Sequence, residues 1–259
     1  MNQPNQFTAE GLAGSTAIVT GASRGFGRAI AAALSAAGAD VVGVARSRPR
    51  LDEVRDELGE SFTPVVADAA DPATARQLID QHRPRTLVLC AGSTPQMSPL
   101  QDQTWQSFSQ NWNVDVAQAF HWTREALRCP LAPGSSVIAM SSGAALAGSP
   151  LSGGYAGAKA AVRFITDYAA LESQRGGLGV RFVSLLPRLT PATDLGAAAV
   201  AAYAERQGVD VGAFIRASGP ALRADQVGRA VLEIAGADTG TQDAYLLTSA
   251  GLSSLARSA

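Results

Sequence analysis

Short apolar runs alternate with longer segments of helical periodicity along most of this chain. Residues 16–19 form a run typical of a buried strand, and the alanine-rich run at 28–37 predicts a helix directly after it. Segment 188–224 breaks this rhythm, because it contains a single helical stretch at about 197–206. Further strands are predicted at 40–45, 62–67, 86–91, 136–141, 180–186 and 244–248, and further helices at 48–58, from 71 onward, and at 104–127, 153–175 and 225–235.

An alternation of strands and helices without a break is typical of right-handed crossovers and a parallel sheet covered by helices on both faces. No linker, internal repeat or shift in composition divides the chain. The sequence therefore predicts an α/β fold, a single-domain Rossmann-type doubly wound parallel sheet of about seven strands spanning 1–259. Segment 188–224 is expected to form a substrate loop or lid, since ligands in such sheets bind beyond the carboxyl ends of the strands.

A glycine-rich turn, TGASRGFG at 20–27, connects the first predicted strand to the first predicted helix. A turn in this position presents backbone N–H groups and the positive end of the helix dipole to a diphosphate. A Cβ at the glycine positions would hold such a ligand off. The context therefore favours dinucleotide binding, although plain tight turns use the same residues.

Composition narrows the classes of partner. The formal net charge of -1 leaves no basic field for nucleic acid or for anionic membranes. Cys90 and Cys129 lack the spacing of a disulfide framework or a metal site, which favours a reducing compartment and predicts no bound metal. Segment 1–14 lacks the basic and apolar regions of a signal peptide, and no apolar run is long enough to span a membrane. We expect a cytoplasmic protein with a small-molecule substrate.

Four polar residues are candidates for catalysis. Tyr155 and Lys159 are four positions apart in a predicted helix, so they share a face, and a nearby ammonium favours the phenolate form of a tyrosine. Ser142 follows the fifth predicted strand, and Asn113 lies inside a helix, where asparagine is a poor helix former. Each has an ordinary alternative: a solvated helix face for the pair, a turn serine and an exposed asparagine for the others.

Together these motifs resemble the short-chain dehydrogenase/reductase family, in the family's order over about 15–187. The family's TGxxxGxG matches 20–27, and its YxxxK matches 155–159. The catalytic residues that the resemblance implies are Asn113, Ser142, Tyr155 and Lys159.

The resemblance also implies a role for each of them. Tyr155 would exchange a proton with the alcohol or carbonyl oxygen of the substrate, and Lys159 would assist it while holding the nicotinamide ribose. Ser142 would orient the carbonyl, and Asn113 would anchor a water relay behind Lys159. A serine hydrolase is disfavoured, because Ser142 is not part of a GxSxG turn.

The choice of cofactor depends on the end of the second predicted strand. Folds that prefer NAD place an acid there, whereas this chain has Arg46, which with Arg24 would suit a 2′-phosphate. We therefore predict NADP(H). Asp68 matches the family's adenine-contacting acid, or it caps a loop. The predicted cofactor contacts are Gly21, Ser23, Arg24, Gly25, Phe26, Gly27, Arg46, Asp68, Ala69, Ala91, Gly92, Tyr155, Lys159, Pro187, Leu189 and Thr190.

Two departures from the family pattern are visible. Cys90 stands in the segment LCAG, where Asn-Asn-Ala-Gly is common, so apolar packing is expected to replace bracing hydrogen bonds. Arg188 follows Pro187, where the family usually has glycine. Three roles of Arg188 remain open: it contacts the cofactor diphosphate, it contacts a substrate carboxylate, or it contacts water only.

The function predicted is an NADP(H)-dependent carbonyl reductase or alcohol dehydrogenase for a small to mid-sized apolar ketone or secondary alcohol. The substrate walls are expected in 93–100, 144–152 and 189–218. The alternative is a catalytically silent NADP(H)-binding sensor of the same fold. An S-adenosylmethionine methyltransferase fits less well, since it requires an acid where Arg46 stands and does not explain Tyr155. The resemblance further suggests a homotetramer, or a homodimer, built through the two long helices.

Overall fold

The computed structural model describes residues 11–237 and 243–255. Most of segment 1–14, which lacks the pattern of a signal peptide, therefore lies outside the described residues. Its strands are β1 (Thr16–Thr20), β2 (Asp40–Ala45), β3 (Phe62–Val66), β4 (Thr86–Leu89), β5 (Ser136–Met140), β6 (Arg181–Pro187), β7 (Ala244–Thr248) and β8 (Gly251–Ser254). They form one sheet in the order β3-β2-β1-β4-β5-β6-β7-β8. Neighbouring strands pair in parallel from β3 to β7.

The predicted doubly wound parallel sheet is therefore confirmed, with one strand more than the expected number of about seven. The additional strand is β8, which pairs antiparallel with β7 in a tight hairpin. Its short sequence, GLSS, carries no alternation of apolar and polar positions. Gly251 begins this strand with a φ of 115°, a conformation that glycine adopts without strain.

The helices are α1 (Gly25–Ala36), α2 (Arg48–Leu58), α3 (Pro72–His82), α4 (Trp105–Asn111), α5 (Ala117–Arg128), α6 (Ala144–Ala147), α7 (Gly153–Gly176), α8 (Asp194–Gln207), α9 (Val211–Ala217) and α10 (Ala224–Gly236). A π-helical segment, Trp112–Val116, joins α4 to α5 within the long helix predicted at 104–127. Short 3₁₀ turns occupy Gly59–Ser61 and Leu100–Asp102. None of the described helices combines the length and the hydrophobicity that crossing a lipid bilayer requires.

Segment 188–224 is more ordered than its sequence indicates. It contains two helices, α8 and α9, instead of one helical stretch at about 197–206. Thr193 begins α8 by accepting a hydrogen bond from the N–H of Gly196 at 3.1 Å, and Asp210 begins α9 by accepting one from Ala213 at 3.1 Å. These two N-caps fix helix starts that a weak hydrophobic period does not reveal.

Two hydrophobic layers enclose the sheet. Side chains alternate along each strand, so Val19 packs on the side of α1, α2 and α10, whereas Ile18 packs on the side of α3, α5 and α7. On the first side, α1 and α10 cross closely because Gly228 has no Cβ; a methyl group there would lie 2.8 Å from the carbonyl oxygen of Ala29. This arrangement leaves the carboxyl ends of the parallel strands open for a ligand.

Candidate active site

A cavity of about 1150 Å³ opens at the carboxyl ends of the parallel strands. Its walls come from the glycine-rich turn, the ends of β2, β4, β5 and β6, the first turns of α7, and helices α8 and α9. Every residue predicted to contact the cofactor lines this cavity, and Ser142, Tyr155 and Lys159 line it too. The structure thus brings the glycine-rich turn and the tyrosine–lysine pair into one cleft.

The glycines of the turn are required chiefly by the packing of the chain itself. Gly21 has a φ of 71°, and a Cβ there would lie 2.8 Å from the backbone of Ala91. A Cβ on Gly27 would lie 2.1 Å from the carbonyl oxygen of Gly21. The turn can therefore fold this tightly only with glycine at both positions.

The tight turn leaves the first turn of α1 facing the cavity, where Gly25, Phe26 and Gly27 form part of the wall. The N-cap residue of this helix, Arg24, makes no side-chain cap. Free N–H groups at the positive end of a twelve-residue helix are suited to a diphosphate. The residues present therefore fit a dinucleotide.

Basic side chains surround the end of β2. Arg46, Arg50 and Arg24 all line the cavity. Arg24 also forms an exposed ion pair with Asp194, the first residue of α8, at 2.9 Å. Asp68 lines the cavity and accepts a hydrogen bond from the N–H of Ala70 at 2.9 Å, so it both caps a loop and faces the site.

Tyr155 and Lys159 lie one turn apart at the start of α7. The Nζ of Lys159 is 5.7 Å from the centroid of the Tyr155 ring. Lys159 is buried, its Nζ donates a hydrogen bond to the carbonyl of Met140 at 2.9 Å, and its own carbonyl accepts one from the hydroxyl of Ser141 at 2.8 Å. These two bonds fix the end of β5 against α7, which brings Ser142 into the same cavity wall as Tyr155.

The structure does not bring Asn113 to this cluster. Asn113 is exposed and does not line the cavity. The side chain that reaches Lys159 from the long helix is that of Asp115, whose Oδ1 lies 2.9 Å from Nζ. Asn113 lies away from the cluster because residues two positions apart lie on nearly opposite sides of a helix, and the side with Asp115 faces α7.

A small hydrogen-bond network fixes Asp115. Its Oδ2 accepts from the N–H of Ser93 at 3.0 Å and from the Nδ2 of Asn111 at 3.3 Å. Asn111 also donates to the carbonyl of Ser93 at 2.7 Å. A Cβ on Gly92 would lie 2.8 Å from Oδ1 of Asp115, so this glycine makes room for the carboxylate. Neither Asn111 nor Asp115 was among the residues predicted from the sequence.

Burial and charge act in opposite directions on this cluster. Burial lowers the pKa of Lys159, but the charges of Asp115 and Tyr155 and the hydrogen bonding of Asp115 outweigh it, so the pKa of Lys159 is raised. Burial raises the pKa of the Cys90 thiol to about 11. At neutral pH we therefore expect Lys159 to be charged and Cys90 to be a neutral thiol.

Polar side chains, not apolar packing alone, brace the end of β4. The hydroxyl of Thr20 accepts hydrogen bonds from the N–H groups of Cys90 and Ala91, at 2.9 and 3.1 Å, and donates one to Gln118. Gln118 in turn donates to the carbonyl of Ala91 at 2.7 Å. The expectation that apolar packing replaces these bonds is wrong, because a buried glutamine from α5 supplies them.

The far half of the cavity, lined by α6, α8 and α9, is mainly apolar. Tyr203 of α8 and Phe214 of α9 stack with ring centroids 6.3 Å apart, and the hydroxyl of Tyr203 is hydrogen-bonded to that of Ser149. Arg188 lines both this cavity and an adjoining one of about 200 Å³. Tyr203 and Ser149 lie within the predicted wall segments 189–218 and 144–152, but neither was predicted individually. Other apolar walls are Pro95, Met97, Leu146, Leu189 and Leu195.

Comparison with known proteins gives consistent relatives. The sequence matches the family described as short chain dehydrogenase over residues 15–204. A short chain dehydrogenase of Pseudocercospora fijiensis is 32% identical over 196 residues, which is 71% of this chain and only 62% of that protein. The L-xylulose reductase of Mus musculus is 30% identical over 183 residues, covering 70% of this chain and 75% of that protein.

A solved structure described as an NAD(P)-dependent gluconate 5-dehydrogenase from Beutenbergia cavernae, with bound NADP at low occupancy, superposes with a TM-score of 0.72. It is 31% identical, and the match covers 85% of this chain and 89% of that one. The sheet order, the cavity lined by both the glycine-rich turn and the tyrosine–lysine pair, and the match over residues 15–204 all indicate the same family. The chain belongs to the short-chain dehydrogenase/reductase family.

Proposed function

We propose that this protein is an NADP(H)-dependent oxidoreductase of the carbonyl reductase or alcohol dehydrogenase type. The observation that carries the proposal is the common cavity wall formed by the glycine-rich turn, Ser142, Tyr155 and Lys159. A cofactor held along the turn and a substrate held near Tyr155 would meet inside that cavity. The altered Arg188 position motivates the competing function, a silent NADP(H) sensor.

Each side chain has a distinct task in the proposed reaction. Bound NADP(H) supplies or accepts the hydride. Tyr155 exchanges its hydroxyl proton with the substrate oxygen, and Ser142 donates a hydrogen bond that orients this oxygen. Lys159, which already donates to Met140, keeps donor capacity for a ribose hydroxyl, since an ammonium carries three N–H groups.

The preference for NADP(H) rests on the basic end of β2. Arg46 has no acidic partner among the ion pairs of the described residues, and Arg50 lines the same wall. Guanidinium groups bind phosphate through paired, charge-assisted hydrogen bonds. A solved relative that is described with bound NADP supports the same choice.

A small to mid-sized apolar ketone, or its secondary alcohol, fits the far half of the cavity best. Tyr203 and Phe214 offer stacked rings, and Met97 and Leu146 offer aliphatic walls. A sugar would need several hydrogen-bonding groups there, since buried hydroxyls are costly without partners. We therefore favour apolar substrates, even though one relative is a xylulose reductase.

We also propose that residues 1–259 act as one catalytic domain, in which segment 188–224 with α8 and α9 is the substrate lid. A homotetramer, or a homodimer, would bury the apolar side chains exposed on the long helices, such as Trp105, Phe120, Phe164 and Tyr168. The cytoplasm is the proposed location. Fractionation of cells and light scattering of the pure protein test these two points.

The function is tested by following NADPH absorbance against a panel of apolar ketones, keto acids, acyl thioesters and sugars. We expect turnover with apolar ketones and its loss in Tyr155→Phe, while NADPH binding is retained. Tyr168→Phe is the matched control, since Tyr168 lies on the same helix but is exposed. Turnover that survives in Tyr155→Phe contradicts the proposed acid, and tight NADPH binding without any turnover favours the sensor.

A further inference from the structure

We infer that Asp115 is a positioning residue that acts on Tyr155 through Lys159: its carboxylate balances the charge of the lysine and so favours the protonated phenol that carbonyl reduction requires. This inference rests on the proposed function and specifies carbonyl reduction as the direction of the reaction. The neutral asparagine that the family resemblance implied on the long helix, Asn113, is exposed and could not balance that charge.

The ion pair between Asp115 and Lys159 is almost completely shielded from water. Its two atoms are 2.9 Å apart, and the side chains are only 1% and 8% exposed, respectively. Removing two charges from water is costly, so a buried pair of this kind requires close fit and further hydrogen bonds. The pair is therefore held by the fold and is not an incidental surface contact.

The fold supplies that fit from three directions. The backbone of Ser93 and the amide of Asn111 donate to the second carboxylate oxygen, and Gly92 leaves space for the first. Across the pair, Met140 accepts a hydrogen bond from Lys159. Both charged groups thus have fixed positions beside the cavity that Tyr155 lines.

Because both charged groups are fixed, their combined electrostatic effect on Tyr155 has a definite sign. A lone ammonium near a phenol favours the phenolate. With a carboxylate on its other side, Lys159 belongs to a neutral pair, and the field of a pair falls off faster with distance than that of one charge. The pair therefore favours the phenolate less than a lone ammonium would, and the protonated phenol is the form that donates to a carbonyl oxygen.

The other titratable groups near the cluster do not supply this balance. Cys90, at the end of β4, has a pKa raised to about 11 and is a neutral thiol at lower pH. Arg188, after β6, lines the cavity with a positive charge, which cannot compensate Lys159. Three titratable groups affect the pKa of Lys159: Asp115, Tyr155 and Cys90. They come from the π-helical segment, from α7 and from the end of β4, respectively.

The inference is tested on the apo-protein with Asp115→Asn, by titrating the near-ultraviolet absorbance of tyrosinate. Subtracting the same titration in a Tyr155→Phe background isolates Tyr155. We expect its tyrosinate signal at a pH lower by roughly one unit than in the wild type, the order expected for one charge at an effective dielectric near 20. Asp80→Asn is the matched control, because Asp80 is exposed and pairs with Arg83.

In turnover assays, NADPH-dependent reduction by Asp115→Asn should decline at lower pH than in the wild type. An unchanged titration overturns the inference, and a shift to higher pH also overturns it, since that would mean that Asp115 serves chiefly to keep Lys159 charged. Wild-type protein without NADPH turnover contradicts the proposed function, whereas the apo titration still decides the electrostatic role.

Circular dichroism shows whether Asp115→Asn is folded. If this variant is unfolded, the pH dependence of turnover by the wild-type protein tests the inference instead. Its reduction rate should then persist well above neutral pH, and a decline that begins near neutral pH overturns the inference.

Discussion

The guanidinium of Arg24 lies 2.9 Å from the carboxylate of Asp194, so the glycine-rich turn is joined to the first residue of α8. Both residues line the cavity. Beside them, a Cβ on Gly25 would meet the side chain of Thr193 at 3.6 Å, an ordinary contact distance. The cofactor wall and the proposed lid are therefore in direct contact, and the charge of Arg24 is already partnered before any phosphate binds.

Asp194→Asn should strengthen NADPH binding, because it releases Arg24 and removes a negative charge from the path of a 2′-phosphate. Both side chains are exposed, and exposed ion pairs are weak, so we expect a gain of about two- to five-fold. NADH, which lacks the 2′-phosphate, should bind unchanged. Fluorescence titration with each nucleotide measures both affinities, and equal gains for the two would show that Arg24 does not bind the 2′-phosphate.

Arg46→Asp should weaken NADPH binding ten-fold or more, since a hydrogen bond to a charged group is worth about 1.5–3 kcal/mol. NADH binding should be kept or improved, because an acid at this position suits a ribose 2′-hydroxyl. Arg48→Asp is the matched control: Arg48 begins the next helix and pairs with Asp52, outside the cavity wall. Isothermal titration of the two nucleotides against both variants separates the cases, and similar losses in both would refute the assignment of Arg46.

Most of the sheet could be predicted from the sequence, because buried parallel strands are continuous apolar runs. β2 lies at 40–45, as its run DVVGVA indicates. The strand β8 and the start of α9 could not be predicted in the same way, since a hairpin turn and a single aspartate cap define them. Local hydrogen bonds of this kind leave no hydrophobic period in the sequence.

The structure brings the predicted site residues together where the prediction depended on spacing, and it separates one of them where the prediction depended on the face of a helix. Tyr155 and Lys159 share one face because they are four apart, and that face lines the cavity. On the long helix the sequence has Asn111, Asn113 and Asp115 within five positions, and the family resemblance favoured Asn113.

A usable signal was nevertheless present on that helix. Asn111, Asp115, Gln118 and Trp122 recur at helical spacing, and all four are buried. Polar residues that follow the period of the buried face point inward, so burial periodicity would have preferred Asp115 to Asn113. What the sequence could not supply is the partner, because the ion pair with Lys159 depends on how closely the long helix approaches α7.

Phe164→Glu should reduce the proposed tetramer to dimers or monomers. Phe164 is exposed on α7 and stacks on Tyr168, one turn further along, at a centroid distance of 6.1 Å. A charge placed in an apolar subunit interface would lose its hydration without gaining a partner. Light scattering coupled to size-exclusion chromatography gives the mass, with Val209→Glu as the control, since Val209 is also exposed but lies between α8 and α9. A monomeric wild type would contradict the proposed assembly.

Gly154→Ala should destabilise the protein, whereas Gly157→Ala, three residues along the same helix, should not. A Cβ on Gly154 would lie 2.0 Å from the carbonyl oxygen of Phe108, so α4 and α7 would have to separate. Such overpacking costs about 1–3 kcal/mol of unfolding free energy.

A Cβ on Gly157 would instead meet the ring of Trp112 at 3.6 Å, an ordinary contact, and alanine is a better helix former than glycine by roughly 0.5–1 kcal/mol. Urea unfolding followed by circular dichroism gives both free energies. Similar values for the two variants would mean that the approach of α4 to α7 is looser than this structure describes. The ion pair that the long helix forms with Lys159 would then lack the rigid support from which its influence on Tyr155 has been inferred.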